Sequence, residues 1–122
     1  MKNKIYLREV ILMYIQLTMD LFCNRALVDK IAKSKTKVGM GINISTMIVS
    51  HQATVNGYHN SVWFSENSIT NIIVLRNLCL QYLVIYRSDK MMFIFHRDSE
   101  GKPNMQFRIH ESGLHYFDPR DK

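Results

Sequence analysis

Cysteine and histidine are the side chains that most often supply a nucleophile or a metal ligand, and this chain holds Cys23, Cys79, His51, His59, His96, His110 and His115. Neither cysteine belongs to a Cys-x-x-Cys pair, so the sequence offers no zinc or dithiol redox motif, and two cysteines make no disulfide framework. Idle or buried thiols are expected. The histidines are scattered, and if His110 and His115 share one strand their odd spacing puts them on opposite faces, away from a common metal. No Gly-x-Ser-x-Gly nucleophile elbow occurs. The Asp-Ser pair Asp98 and Ser99 is followed by Glu100 before Gly101, so it reads as a solvated turn. Gly39, Met40 and Gly41 resemble the start of a phosphate-binding glycine loop. Ser45 and Thr46 follow where the last glycine is needed and no acidic ribose partner is placed, so a turn between strands is expected there instead. No cofactor and no metal are expected.

The basic residues form the other chemical feature. Residues 1–40 carry eight Lys and Arg against the acids Glu9, Asp20 and Asp29, whereas the chain from residue 80 onward is nearly balanced, seven against six. Lys33, Lys35 and Lys37 alternate, so a regular strand would align them on one face, with Lys30 nearby, able to follow phosphates by non-specific attraction. No aromatic residue is interleaved to stack on bases. The reading set against this is a solvated edge strand whose lysines discourage pairing with another chain.

The elements that must position these groups are mostly strands. Gln81 to Arg87 and Met91 to Arg97 are rich in Tyr, Val, Ile and Phe, and Ser88, Asp89 and Lys90 between them suit a hairpin. Ser99, Glu100, Gly101 and Lys102 supply a second turn before Met105 to His110, with Phe107 and Ile109 on one face. Gly113 marks a third before His115 to Phe117, completing a β-meander. Ile69 to Leu80 follows helical spacing with Asn67 or Ser68 available as a cap, while its density of Ile and Val suits a strand as well, so the residues leave both readings open. Ile5 to Leu21 admits one amphipathic helix or two strands. Asn56 and Gly57 make a turn, and Trp63 and Phe64 beside Tyr58 should anchor the core.

With 122 residues, 47% of them hydrophobic and 21% charged, the chain has the composition of a folded domain of modest core. The stretch from Ile5 to Phe22 is interrupted by Arg8, Glu9, Gln16 and Asp20, short of the roughly 18 apolar residues of a membrane span. The same charges spoil a secretion signal. A cytoplasmic or nuclear protein with no membrane contact is expected.

One stretch is more specific. Val62 to Leu75, VWFSENSITNIIVL, resembles the segment VWY-x-P-x-GIANILSL of copia-type retrotransposon polyproteins, which lies between the aspartic protease signature and the integrase region. Tyr82, Val84, Tyr86 and Ser88 fall on that family's Y-x-V-x-F-x-S, while Phe93 and His96 fall on F-x-V-H-x-x-D-G, with Gly101 one position past its glycine. Gly113, Leu114, Tyr116 and Asp118 fall on the G, L, second Y and D of S-x-x-GLYY-x-D, with Ser112 two positions past its serine. Nearer the N-terminus the family carries LLDNQSTVDVFCN, against which Gln16, Thr18, Asp20, Phe22, Cys23 and Asn24 match. Tyr14 stands at the catalytic aspartate, Ile15 at the asparagine and Leu17 at the serine.

The resemblance implies a mainly β fold: a retropepsin-like partial barrel followed by a β-meander, with one or two short helices, one of them over Ile69 to Leu80, where the family's NILSL takes the place of the protease's C-terminal helix. Residues 1–80 would be the degenerate protease region and 81–122 the linker hairpins, packed as one domain. It implies a homodimer as well, because such proteases build their catalytic pair from one carboxyl of each copy, the two sharing a proton. A tyrosine, with its ordinary pKa near 10, cannot supply that pair. The expectation is therefore a protease homologue with no catalytic residue. The alternative is a small basic β-domain that binds nucleic acid, weakly and non-specifically, or an acidic partner through Lys30, Lys33, Lys35 and Lys37.

Overall fold

The computed structural model describes residues 6–42, 45–96 and 105–120. Within them the chain is mainly β, as expected from its sequence. Its strands are β1 (Ile11–Tyr14), β2 (Leu21–Phe22), β3 (Asp29–Ile42), β4 (Ser45–Thr54), β5 (Val62–Phe64), β6 (Asn71–Val74), β7 (Leu83–Arg87), β8 (Met92–His96), β9 (Met105–Ile109) and β10 (His115–Phe117). A short 3-10 turn spans Arg25–Leu27, and one α-helix, α1 (Leu75–Gln81), follows β6 directly. The strands join in one open mixed sheet, ordered β3-β4-β5-β2-β6-β1-β10-β9-β8-β7.

Burial explains which sequences became which strands. β1 and β6 lie in the middle of the sheet as parallel neighbours, Ile11 beside Asn71 through Tyr14 beside Val74, and β6 is buried at all four positions. Continuous apolar runs of this kind suit strands covered on both faces. β9 alternates instead: Met105 and Phe107 are buried while Gln106 and Arg108 are exposed, the pattern of a sheet with one solvated face.

The meander β7 to β10 is present as expected. Each strand pairs antiparallel with the next, and β10 then pairs with β1, so β7 to β10 continue the sheet formed by β1 to β6. A single hydrophobic cluster includes Ile11, Met13, Phe22, Phe64 and Ile73 from the first stretch and Tyr82, Phe95, Met105 and Phe107 from the second. Aromatic contacts run through it, with Phe95 edge-on to Phe107 at 5.4 Å.

Several expectations are corrected. Ile69 to Leu80 is not one helix: Asn71–Val74 is a strand and the helix starts only at Leu75. The β-branched Ile72, Ile73 and Val74 have a parallel partner in β1, and pairing overrides helical spacing until Leu75, Leu78 and Leu80, which carry no branch at Cβ, take over. Ser68 therefore caps no helix; its hydroxyl donates to the Thr70 carbonyl at 3.0 Å. Of the two readings of Ile5 to Leu21 the structure takes two strands, in spite of Leu12 and Met13, because β1 has neighbours on both sides. Gly39, Met40 and Gly41 form no turn; all three sit within β3, opposite Ile48, Met47 and Thr46. His110 and His115 do not share a strand but flank the turn that Gly113 makes at φ 93°, where the Gly113 N–H donates to the His110 carbonyl at 2.8 Å.

Asn56 and Gly57 do form a turn, with Gly57 at φ 81°, a conformation that glycine adopts without steric cost. Tyr58 and Phe64 are buried in the core and Trp63 is half-buried. The turn expected at Ser99, Glu100, Gly101 and Lys102, and Asp98 with it, lie outside the described residues. Among the described residues no helix is long and apolar enough to cross a membrane.

Candidate functional site

The segment that the resemblance marks as an active loop connects β1 to β2. Tyr14 is the last residue of β1, half-buried and paired with Val74. From there Ile15, Gln16, Leu17 and Thr18 are exposed, and the chain turns inward at Asp20. Apolar side chains at Ile15 and Leu17 leave the tip of this loop without a titratable group.

Asp20 is the carboxylate of the loop, and it is fully engaged. Its Oδ2 accepts from the Tyr58 hydroxyl at 2.6 Å, its Oδ1 from the Val74 N–H at 2.7 Å, and the Asn77 amide donates to both oxygens at 3.2 Å. The Asp20 carbonyl also accepts from the Trp63 N–H at 3.0 Å. One residue thus ties the entry of β2 to the end of β6, to α1 and to the turn bearing Tyr58. Burial raises the Asp20 pKa and outweighs the opposing effect of these hydrogen bonds. Burial, with Asp20 close by, raises the Tyr58 phenol as well and keeps it protonated as the donor. A carboxylate with both oxygens occupied by structural donors has no free lone pair aimed at a water or a substrate.

A second polar network lies behind the loop. Asn71 is fully buried in β6. Its Oδ1 accepts from the N–H groups of Cys23 at 2.8 Å and Asn24 at 3.0 Å, and its Nδ2 donates to the carbonyls of Arg8 at 3.1 Å and Val10 at 3.0 Å. Arg8 reaches across with its guanidinium to the carbonyls of Glu66, Ser68 and Cys23. Thr70 donates to the Leu7 carbonyl at 2.6 Å. Cys23 is buried beneath this network, and burial raises its thiol pKa, so it has no thiolate character to make it a nucleophile. Cys79 is exposed.

The histidines stay apart. The His51 ring meets the Ser50 hydroxyl, His110 meets Ser112, and His115 sits edge-on to Phe93 at 5.1 Å, where burial lowers its pKa. Among the described residues no three His, Cys, Asp or Glu side chains converge as a metal site would require.

The lysines occupy the edge strand β3, where Lys30, Lys33, Lys35 and Lys37 are all exposed. They do not form the straight row that their alternation suggests. Pairing runs from Lys33 opposite His51 directly to Val38 opposite Val49, so residues 34–37 bulge out against a single residue of β4. The Ser34 hydroxyl accepts the Thr36 N–H at 3.2 Å inside this bulge, a local bond of the kind that competes with ladder pairing.

Sequence reasoning singled out Tyr14, Asp20 and the lysines, and it missed the hydrogen-bonding roles of Asn71, Arg8, Tyr58 and Asn77. The partners of Asn71 lie 47 to 63 residues away in sequence, and no local spacing encodes such a bond. The only signal was the asparagine inside the segment that resembles the family's NILSL. Comparison with known proteins returns no match: no family model, no curated protein and no solved structure is significantly similar to this chain.

Proposed function

We propose that this chain is a non-catalytic β-domain derived from the protease region of a copia-type polyprotein. The observation that carries the reading is the β1–β2 loop. Tyr14 stands where the resemblance puts the aspartate, the exposed tip carries Ile15 and Leu17, and Asp20 spends both oxygens on Tyr58, Val74 and Asn77. A proton-sharing pair needs two carboxyls at one point, open to water. The loop offers none.

The purified protein is expected to cleave no member of a peptide library between about pH 4 and 7, the range in which a shared carboxyl pair works. Pepstatin-sensitive cleavage that disappears when one acid of this chain is replaced would overturn the reading. The triple change Tyr14→Asp, Ile15→Asn and Leu17→Ser rebuilds the family's loop, and cleavage gained by that variant would support the ancestry.

A second reading rests on the exposed lysines of β3: a weak electrostatic surface for nucleic acid or an acidic partner. The bulge scatters the charges, so a shallow salt dependence and no sequence preference are expected. Changing Lys33, Lys35 and Lys37 together to alanine should flatten the slope of log affinity against log salt by no more than about 3, one for each phosphate that a lysine no longer neutralises. Tight, sequence-selective binding at physiological salt that depends on these lysines would replace the first reading with the second.

A further inference from the structure

The sheet ends in two unlike edges. β3 closes one side with four exposed lysines and a break in register, and lysines and bulges are the devices that keep an edge from accepting another strand. β7 closes the other side and has neither. It pairs with β8 in unbroken register from Leu83 opposite His96 to Arg87 opposite Met92, and it contains no lysine, proline or glycine. Three of its apolar side chains are open to solvent, Leu83 at 65% exposed, Ile85 at 43% and Tyr86 at 47%, with Leu80 near the end of α1 73% exposed, while Val84 packs partly against the core. The single charge on the strand, Arg87, is neutralised by Asp89, Nη2 to Oδ2 at 2.9 Å.

We propose that β7 is the surface through which two copies of this chain associate, by antiparallel pairing of β7 with β7 of a second copy about a two-fold axis at Ile85. The strand is complementary to itself in that register. Ile85 faces Ile85, Val84 faces Tyr86 and Leu83 faces Arg87, each of the latter pairs occurring twice, as an isologous interface demands. A β-branched residue opposite an aromatic one is a favourable cross-strand pair. The aliphatic stem of Arg87 covers Leu83 while its guanidinium stays on Asp89. No like charges meet. Pairing β7 with the β3 edge of another copy would instead bring Arg87 onto a strand bearing four lysines, which selects β7 over β3 as the partner edge. The interface is distinct from the β1–β2 loop, so it stands or falls separately from the ancestry.

Sedimentation velocity across a concentration series is expected to show the 14.4 kDa chain converting to a species of twice that mass. Ile85→Lys places two lysines directly across the axis and should weaken association on the order of 100-fold, with an unchanged circular dichroism spectrum and melting temperature. Lys35→Glu, on the opposite edge, should leave association intact. In a Cys79→Ser background, mild oxidation should cross-link Ile85→Cys to its own copy. Leu83→Cys should cross-link only when Arg87→Cys is also present, since strand neighbours four residues apart cannot bridge within one chain. A chain that stays monomeric into the millimolar range overturns the proposal. So does a dimer that survives Ile85→Lys, or one abolished by Ile15→Lys instead.

Discussion

Replacing Asn71 by leucine is expected to cost about 4 kcal/mol, because it takes the side-chain partner at once from the N–H groups of Cys23 and Asn24 and from the Val10 carbonyl. Leucine shares asparagine's branched outline but is bulkier, so overpacking at this closed site adds to the loss. The N–H groups of Cys23 and Asn24 and the carbonyls of Arg8 and Val10 share Asn71 as a partner, the Arg8 carbonyl keeping a second donor in Asn24 Nδ2 at 2.7 Å, and Asn71 itself is closed to solvent. In a chain of this length the melting temperature should fall by roughly 12–20 °C. Thr70→Val removes one hydrogen bond, to the Leu7 carbonyl, and should cost only about 1 kcal/mol. Urea or thermal melts that place Asn71→Leu within a few degrees of the unaltered protein would show that the segments around residues 8, 23 and 71 hold together without this side chain.

The second large effect concerns Asp20. Changing it to leucine removes the acceptor for the Tyr58 hydroxyl, the Val74 N–H and the Asn77 amide, a loss of about 3–5 kcal/mol. Changing it to asparagine keeps the shape and isolates the charge. Burial raises the folded-state pKa of Asp20 above its ordinary value of 3.8. Below that value the group is protonated in both states and makes its full contribution. As pH rises through the raised value, the unfolded chain has already given up a proton that the folded chain still holds, so the contribution is lost. Unfolding measured at a series of pH values should therefore show the unaltered protein losing stability relative to Asp20→Asn as pH climbs from 3.8 upward. The opposite trend, a gain with rising pH, would mean that the hydrogen bonds to the carboxylate outweigh its burial.

The two changes test different parts of one architectural idea. Asn71 and Asp20 each link strands that are adjacent in the sheet but distant in the chain, one behind the β1–β2 loop and the other at its inner end. Together they hold a loop whose exposed tip has no acid. The sheet has only two residues in β2, too few for ladder hydrogen bonds alone to fix the loop's exit. Side-chain bonds from buried polar groups supply the missing definition.

Elements whose signal is local could be read from the residues alone. The meander was legible because Val84, Tyr86, Phe93, Phe95, Phe107 and Phe117 prefer a pleated surface and are separated by Ser88, Asp89 and Gly113, which favour turns. The turn at Asn56 and Gly57 was legible for the same reason. Everything else depended on neighbours that the fold supplies. Asn71 to Val74 is a strand because β1 lies alongside it, a neighbour that helical periodicity cannot see. Lys33, Lys35 and Lys37 lose their common face because β4 offers one residue against four. Asp20 proves a structural carboxylate because Tyr58, Val74 and Asn77 arrive from 38 to 57 residues further along the chain. Pairing partners and buried hydrogen bonds are properties of residues brought together by the fold, and their energies depend on a proximity that sequence spacing does not contain.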